Sequence, residues 1–244
     1  MMRIALISDI HGNLTALETA LEHIGTQDVA HIICLGDVAA QGPQPREVIE
    51  RLRELEIPVV MGNTDHWLLN PLPPDIIQQD ERRETEIELW SAAQLGAAEL
   101  ETVADYRPTL FRDFGHGFTL LCYHGSPRSY EDRVEPTTPE ETLNDWFSEE
   151  RALVYAGGHT HEAMVRRYGK SMLVNPGSVG QTVYQTAGGR DVQPTWAEYG
   201  LLAWNDGALS ITLQRVPYSK DELSRAVRRS GMPHADYWLD NWRS

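Results

Sequence analysis

The segment Ile4-Ala5-Leu6-Ile7-Ser8-Asp9-Ile10-His11-Gly12-Asn13 decides the fold, because a short apolar run stops abruptly at a carboxylate and an imidazole. Ile4 to Ile7 reads as a strand buried on both faces. Asn13 is placed to cap a helix whose apolar positions Leu14, Leu17, Leu21 and Ile24 recur at helical spacing. The pattern then repeats. Ile32–Leu35 is a second strand closed by Gly36-Asp37, Pro45 opens a helix through Val48, Ile49, Leu52 and Leu55, and Val59–Met61 is a third strand closed by Gly62-Asn63. Strand, helix, strand, helix, strand predicts parallel pairing with right-handed crossovers, and sheets so built bind ligands beyond the carboxyl ends of their strands.

Two later runs end the same way. Phe118–Tyr123 delivers His124, and Leu153–Ala156 delivers Gly158-His159-Thr160-His161. Alone, Asp-x-His reads as a capped turn and Gly-His-Thr-His as a loop pair, but five motifs at one kind of boundary point to a shared site. Four of the nine histidines lie there, with two carboxylates and one amide, a donor set suited to a first-row divalent cation. Two cations held roughly 3.5–4 Å apart need a bridging ligand. Asp37, with two oxygens at the end of a central strand, is the candidate bridge. Asp9, His11 and His161 complete one metal, and Asn63, His124 and His159 the other. Such a pair lowers the pKa of a bridging water from ~15.7 towards about 7, and the resulting hydroxide suits in-line attack on phosphorus. Asn63 and the metals hold phosphoryl oxygens, so Ser8, Ser126 and Ser178 are expected as turn residues and not as nucleophiles. Glycines 12, 36, 62, 125, 157 and 158 are expected where ligand-bearing turns need positive φ or close backbone approach.

The remaining chain sets bounds. A length of 244 residues with 41% hydrophobic content fits one α/β domain over 1–244, with helical or loop rims at 66–105 and 126–150. A formal charge of −15 excludes non-specific affinity for nucleic acid or an anionic membrane. Cys34 and Cys122, each within an apolar run, read as buried hydrophobes. The first strand begins too early to leave room for a signal peptide, and no apolar run approaches the roughly 20 residues that span a bilayer, so a cytoplasmic location is expected. Pro71, Pro73 and Pro74 mark a loop ahead of a Glu- and Arg-rich helical segment containing Leu89, Trp90, Ala93 and Leu100. Thr138-Pro139-Glu140-Glu141 reads as a capping box. Asn205-Asp206-Gly207 reads as a hairpin between Tyr199–Trp204 and Leu209–Val216, and Ser219 as the cap of a late helix. Thr186-Ala187-Gly188-Gly189 reads as a mobile loop. Trp238 and Trp242 are expected in the core or at a contact between copies of the chain, and a homo-oligomer stays open.

Asp9-x-His11, Gly36-Asp37, Gly62-Asn63-Thr64-Asp65, His124-Gly125 and Gly158-His159-Thr160-His161 resemble the signature of the calcineurin-like metallophosphoesterase superfamily. Asn175-Pro176-Gly177-Ser178 resembles a segment that follows it in the small single-domain prokaryotic branch, which includes YfcE-like phosphodiesterases. The resemblance implies a four-layer αββα sandwich of two mixed, mainly parallel-core sheets flanked by helices. It further implies two divalent metal ions, manganese foremost with iron, zinc, nickel or cobalt as alternatives, and hydrolysis of a small soluble phosphoester, of which a nucleotide is one class. One position departs from the family. Where many members carry a histidine after the metal-binding asparagine, this chain has Thr64, a poor acid; leaving-group protonation then passes to Asp65, His66 or water, which favours diesters over monoesters. Arg128 is a candidate for substrate phosphate. The alternative is a non-catalytic protein-interaction scaffold on the same fold, which would not need all seven ligands; a nuclease fits the motif but not the acidic charge.

Overall fold

The computed structural model of the chain describes residues 1–71, 82–148, 151–185, 189 and 191–242. The N-terminal stretch folds as the periodicity requires: β1 (Met2–Ile7), α1 (Leu14–Gly25), β2 (His31–Cys34) and α2 (Pro45–Glu54). Asn13 caps α1 by accepting the Ala16 N–H at 3.0 Å. α3 (Asn63–Leu68), α4 (Arg82–Ala93) and α5 (Ala97–Ala104) then lead to β3 (Leu110–Asp113) and β4 (Thr119–Cys122). The second half comprises α6 (Glu140–Trp146), β5 (Val154–Ala156), β6 (Met164–Tyr168), β7 (Ser171–Asn175), β8 (Tyr184–Gln185), β9 (Asp191–Val192), β10 (Trp196–Asn205), β11 (Ala208–Pro217), α7 (Lys220–Ser230) and α8 (Ala235–Asp240).

Two mixed sheets face each other, in orders β11-β10-β1-β2 and β3-β4-β5-β7-β6. The parallel pairs are β1 with β2, β4 with β5 and β5 with β7. Side chains alternate along each strand, so β1 serves two cores at once. Ile4 and Leu6 enter the space between the sheets with Ile33, Leu35, Phe118, Leu120 and Val174. Ala5 and Ile7 face outward, under Leu17, Ala20 and Ile24 of α1 and Leu223 and Val227 of α7. The outer face of the second sheet packs Leu121, Tyr123 and Tyr155 against Leu143 of α6. Helix, sheet, sheet, helix is the layering, with one apolar core inside the sandwich and one under each outer layer. The hairpin of β10 and β11 turns at Asp206 and Gly207, both with positive φ, and Ser219 caps α7 through the Glu222 N–H.

Four local expectations need correction or stand aside. Val59–Met61 is not a full strand: Val59 bridges Cys34 and Val60 bridges Arg107, because the chain turns into α3 at once. The Glu- and Arg-rich segment is two helices, since the Gly96 N–H is taken by Glu99 at 2.7 Å, which starts α5. Thr138 is not the cap of α6; its Oγ1 accepts the Glu135 N–H and Pro139 takes the cap position. Pro73, Pro74 and Thr186 to Gly188 lie outside the described residues. Among those described, no helix is long and apolar enough to cross a membrane.

Candidate metal centre

Strand ends from both sheets meet at one edge of the sandwich. Asp9 and His11 follow β1, Asp37 follows β2, His124 follows β4, and His159 and His161 follow β5. Asn63 begins α3, beyond the Val59–Val60 pairing. Five of these seven residues hold a left-handed backbone: Asp9 (φ 54°), His11 (46°), Asp37 (55°), His159 (69°) and His161 (57°). Each such non-glycine conformation costs about 1–2 kcal/mol and persists only where the surroundings enforce it. Here they do. The Asp9 N–H donates to the Gly36 carbonyl at 2.9 Å, His11 N–H to Asp37 at 3.0 Å and Gly180 N–H to Asp9 at 3.0 Å.

The ring nitrogens are assigned by their backbone partners. His11 Nδ1 meets the Ala40 carbonyl at 3.2 Å, His124 Nδ1 that of Leu35 at 2.7 Å and His161 Nδ1 that of Gln181 at 2.8 Å. A carbonyl only accepts, so each Nδ1 carries hydrogen and each Nε2 is left to face the cluster. His11 Nε2 and His161 Nε2 lie 3.1 Å apart, with Asp9 Oδ1 at 3.2 Å from the latter. Asp9 Oδ1 is itself buried without a hydrogen-bond donor. Two imidazole lone pairs and a carboxylate oxygen that converge in this way require a positive charge between them, a proton or a metal ion. The donor set is the one expected for a divalent first-row metal.

The second group is assembled beside it. Asn63 Oδ1 lies 3.0 Å from His124 Nε2 and 3.1 Å from His159 Nδ1, and Asp37 Oδ2 lies 3.4 Å from His124 Nε2. The same Asp37 oxygen is 3.7 Å from His11 Nε2, so it faces both groups, while Oδ1 accepts the Thr64 N–H at 3.0 Å. Thus Asp9, His11 and His161 form one candidate metal-ligand cluster, and Asp37, His124 and His159 another. Asp9, His11, Asp37 and His124 are buried, and the partly exposed Asn63, His159 and His161 form the approach from solvent.

Carboxylates and imidazoles in the centre shift one another's protonation. Burial alone would raise the Asp37 carboxyl, but His124 overrides it and holds the acid below its usual range. Burial likewise opposes His161 at Asp9, and the net direction is again downward. His124 is lifted to about 10 despite burial, because Asp37 and Asp9 stabilise its cation, whereas burial drives His11 down to about 4. The carboxylates are therefore poised to draw cationic charge into the cluster.

Close packing explains the glycines at the two positions that matter most. A Cβ on Gly62 would stand 2.1 Å from Asp37 Oδ1, and one on Gly158 would stand 2.0 Å from Ser8 Oγ and 2.8 Å from Asp9 Oδ2. Gly62 has an ordinary extended backbone, so proximity and not φ excludes a side chain there.

The rim candidates fall in distinct places. Asp65 is fully buried, and its carboxylate accepts N–H groups from Asp37 (2.8 Å), Val38 (2.9 Å) and Gly62 (3.1 Å). Burial, with the Asp37 carboxylate nearby, pushes this acid up to about 7 against the Val38 and Gly62 N–H groups. It fixes the turn that carries Asp37. His66 is exposed on α3, with its ring 5.5 Å from that of Tyr130. Arg128 pairs with Asp132 at 2.9 Å and Asp145 at 2.7 Å, and its guanidinium lies over Trp146. Ser126 accepts the Arg128 and Ser129 N–H groups in a turn, and Ser178 donates to the Asp9 carbonyl at 2.7 Å. The sequence did not disclose the part taken by Asn175: its Nδ2 donates to the Gly158 carbonyl at 2.7 Å and to Thr160 Oγ1 at 3.0 Å, which shapes the turn bearing His159 and His161. Its place before Pro176-Gly177 was the available signal.

Comparison with known proteins agrees with this architecture. The profile of the calcineurin-like phosphoesterase superfamily domain matches residues 2–192, and the chain belongs to that superfamily of metal-dependent phosphoesterases. Phosphodiesterase YfcE of Escherichia coli K12 is 28% identical over 189 residues, which is 73% of this chain and 80% of YfcE. An uncharacterised protein of Methanocaldococcus jannaschii is 28% identical over 195 residues, 73% of this chain and 76% of its own. The crystal structure of a metallophosphoesterase from Sphaerobacter thermophilus superposes with a TM-score of 0.72 at 25% identity, covering 98% of this chain and 97% of that one.

Proposed function

We propose that the chain hydrolyses a small phosphodiester at a centre of two divalent cations. The observation that carries this reading is the convergence of His11 Nε2, His161 Nε2 and the donorless Asp9 Oδ1, beside an Asp37 oxygen that faces both clusters. Asp9, His11 and His161 would hold one cation, Asn63, His124 and His159 the other, and Asp37 both. When bound, the cations supply Lewis acidity at phosphorus and acidify a coordinated water. The protein's own groups do the rest. Carbonyls of Ala40, Leu35 and Gln181 fix three rings, and Asp65 fixes the Asp37 turn, so the donors are positioned before a ligand arrives. Asn63, at the solvent-facing side, is placed to donate through its amide to a phosphoryl oxygen. His66 is the exposed group on α3 able to carry a proton to a leaving group. With threonine at 64, monoesters with poor leaving groups are the weaker substrates, and YfcE, a phosphodiesterase by name, supports the diester preference. A complete set of seven buried or half-buried donors also favours catalysis over a scaffold. Residues 1–244 are read as a single domain of a cytoplasmic protein, and manganese is the first ion to supply.

The test is hydrolysis of bis-nitrophenyl phosphate by metal-free protein reconstituted with Mn²⁺, compared with Asp37→Ala. We expect activity in the wild type and a loss of at least ~10³-fold in the variant. Undiminished turnover in Asp37→Ala overturns the assignment.

A further inference from the structure

The two main sheets end in β2 and β11 on one side of the sandwich and in β3 and β6 on the other. Three of these edges are blunted. β2 has four residues and is bridged at Cys34 by Val59, β3 has four and carries Arg112 and Asp113, and β6 has five with Arg166 and Arg167. β11 is different. It runs for ten residues, Ala208–Pro217, in unbroken register with β10, and it contains no bulge, lysine or carboxylate. A long edge without these devices is a template for another chain.

The hairpin turn fixes which backbone groups of β11 face outward. A two-residue turn at Asp206-Gly207 makes Asn205 and Ala208 a hydrogen-bonded pair, and such pairs alternate along an antiparallel ladder. Ser210, Thr212, Gln214 and Val216 therefore bond to β10, while Leu209, Ile211, Leu213 and Arg215 turn their N–H and C=O groups away from it. The far end of the ladder agrees: Glu198, opposite Arg215, gives its N–H to the Ser178 carbonyl at 2.9 Å and not to β11. Among the described residues, no strand lies beyond β11 to take these outward groups.

We propose that β11 is where two copies of this chain pair, antiparallel about a two-fold axis at Thr212. In that register Leu209 meets the partner's Arg215 and Ile211 the partner's Leu213, and the reverse, so all four outward residues enter hydrogen-bonded pairs. A shift either way leaves some of them unpaired or sets Leu209 against the partner's Pro217, which has no N–H. The side chains suit the same register. The two Thr212 side chains stand about 4.5–5.5 Å apart on the exposed face, and Ser210 lies opposite the partner's Gln214. Leu209 and Ile211 lie on the face towards the sandwich, where they pack against the core between the sheets, and Leu213 follows by alternation. Charge selects a copy of the chain as the occupant. A chain of formal charge −15 repels its own kind, so self-association needs a strip without free carboxylates. β11 is such a strip: its one charged residue, Arg215, is already matched by Glu198 of β10 at 2.7 Å, so a charged peptide would gain no ion pair there.

Sedimentation equilibrium of the full chain tests the pairing in wild type, Thr212→Lys and Thr212→Glu, each checked for an unchanged far-ultraviolet dichroism spectrum. We expect a dimer in the wild type, association at least about fivefold weaker in each variant, where like charges oppose across the axis, and recovery in an equimolar mixture of the two variants. Hydrogen exchange gives a second readout. Raising the concentration should slow exchange at the amides of Leu209, Ile211, Leu213 and Arg215 in the wild type but not in Thr212→Lys. A wild type that stays monomeric up to about 1 mM, a dimer that neither substitution weakens, or a mixture no tighter than its components overturns the proposal.

Discussion

The interior of the sandwich and its ligand-bearing edge are made from the same strands by opposite rules. Between the sheets, Ile4, Leu6, Ile33 and Leu120 are buried among other apolar side chains, and the backbone there is ordinary strand. A few residues further along, Asp9, His11, Asp37, His159 and His161 take left-handed conformations, carry charge into buried space and leave acceptors facing each other. The lesson is a division of labour along each strand. The core supplies the stability that lets the edge hold a strained, charge-laden arrangement.

The comparison breaks most visibly at Gly62. Gly62→Ala would place a methyl against Asp37 Oδ1 and the Asp37 backbone nitrogen, and a shift of even ~1 Å in a catalytic group costs roughly 10²-fold in rate. We expect that loss in kcat for bis-nitrophenyl phosphate with the far-ultraviolet dichroism preserved. Phe118→Ala should do the reverse. A cavity in the core costs about 3–5 kcal/mol in urea unfolding, while kcat per folded molecule stays at the wild-type value. The smallest effect belongs to His66, whose exposed ring stands outside both clusters. His66→Ala should slow a diester with a poor leaving group about tenfold and leave nitrophenolate release unaffected, as seen in the ratio of the two kcat values. Equal slowing of both removes His66 as the acid.

Much of this was legible in the sequence, and the limits have physical causes. The β1–α1–β2–α2 order and all seven candidate ligands could be named because apolar periodicity, caps and metal-binding residue types are local properties. The failures came from contacts distant in sequence. Val59–Met61 makes only single bridges because the chain turns into α3 at once, and one of its partners, Arg107, arrives from beyond α5. Which imidazole nitrogen faces inward was set by carbonyls of Ala40, Leu35 and Gln181, so three rings present Nε2 while His159 presents Nδ1 to Asn63. For Asp65, read as a candidate acid from its place near Asn63, the sequence did not reveal that its carboxylate accepts three backbone N–H groups. The hydrogen bond from Trp238 Nε1 to the Gln41 carbonyl, which ties α8 to that loop, is a pairing no local pattern could announce.

The central claim is that two separate donor groups, joined by Asp37, hold two cations. Equilibrium dialysis of metal-free protein against Mn²⁺, followed by elemental analysis, counts them. The account predicts two ions per chain in the wild type and one in His161→Ala, which removes a donor from the first cluster alone. One ion or none in the wild type, or two still bound after His161 is removed, would contradict it.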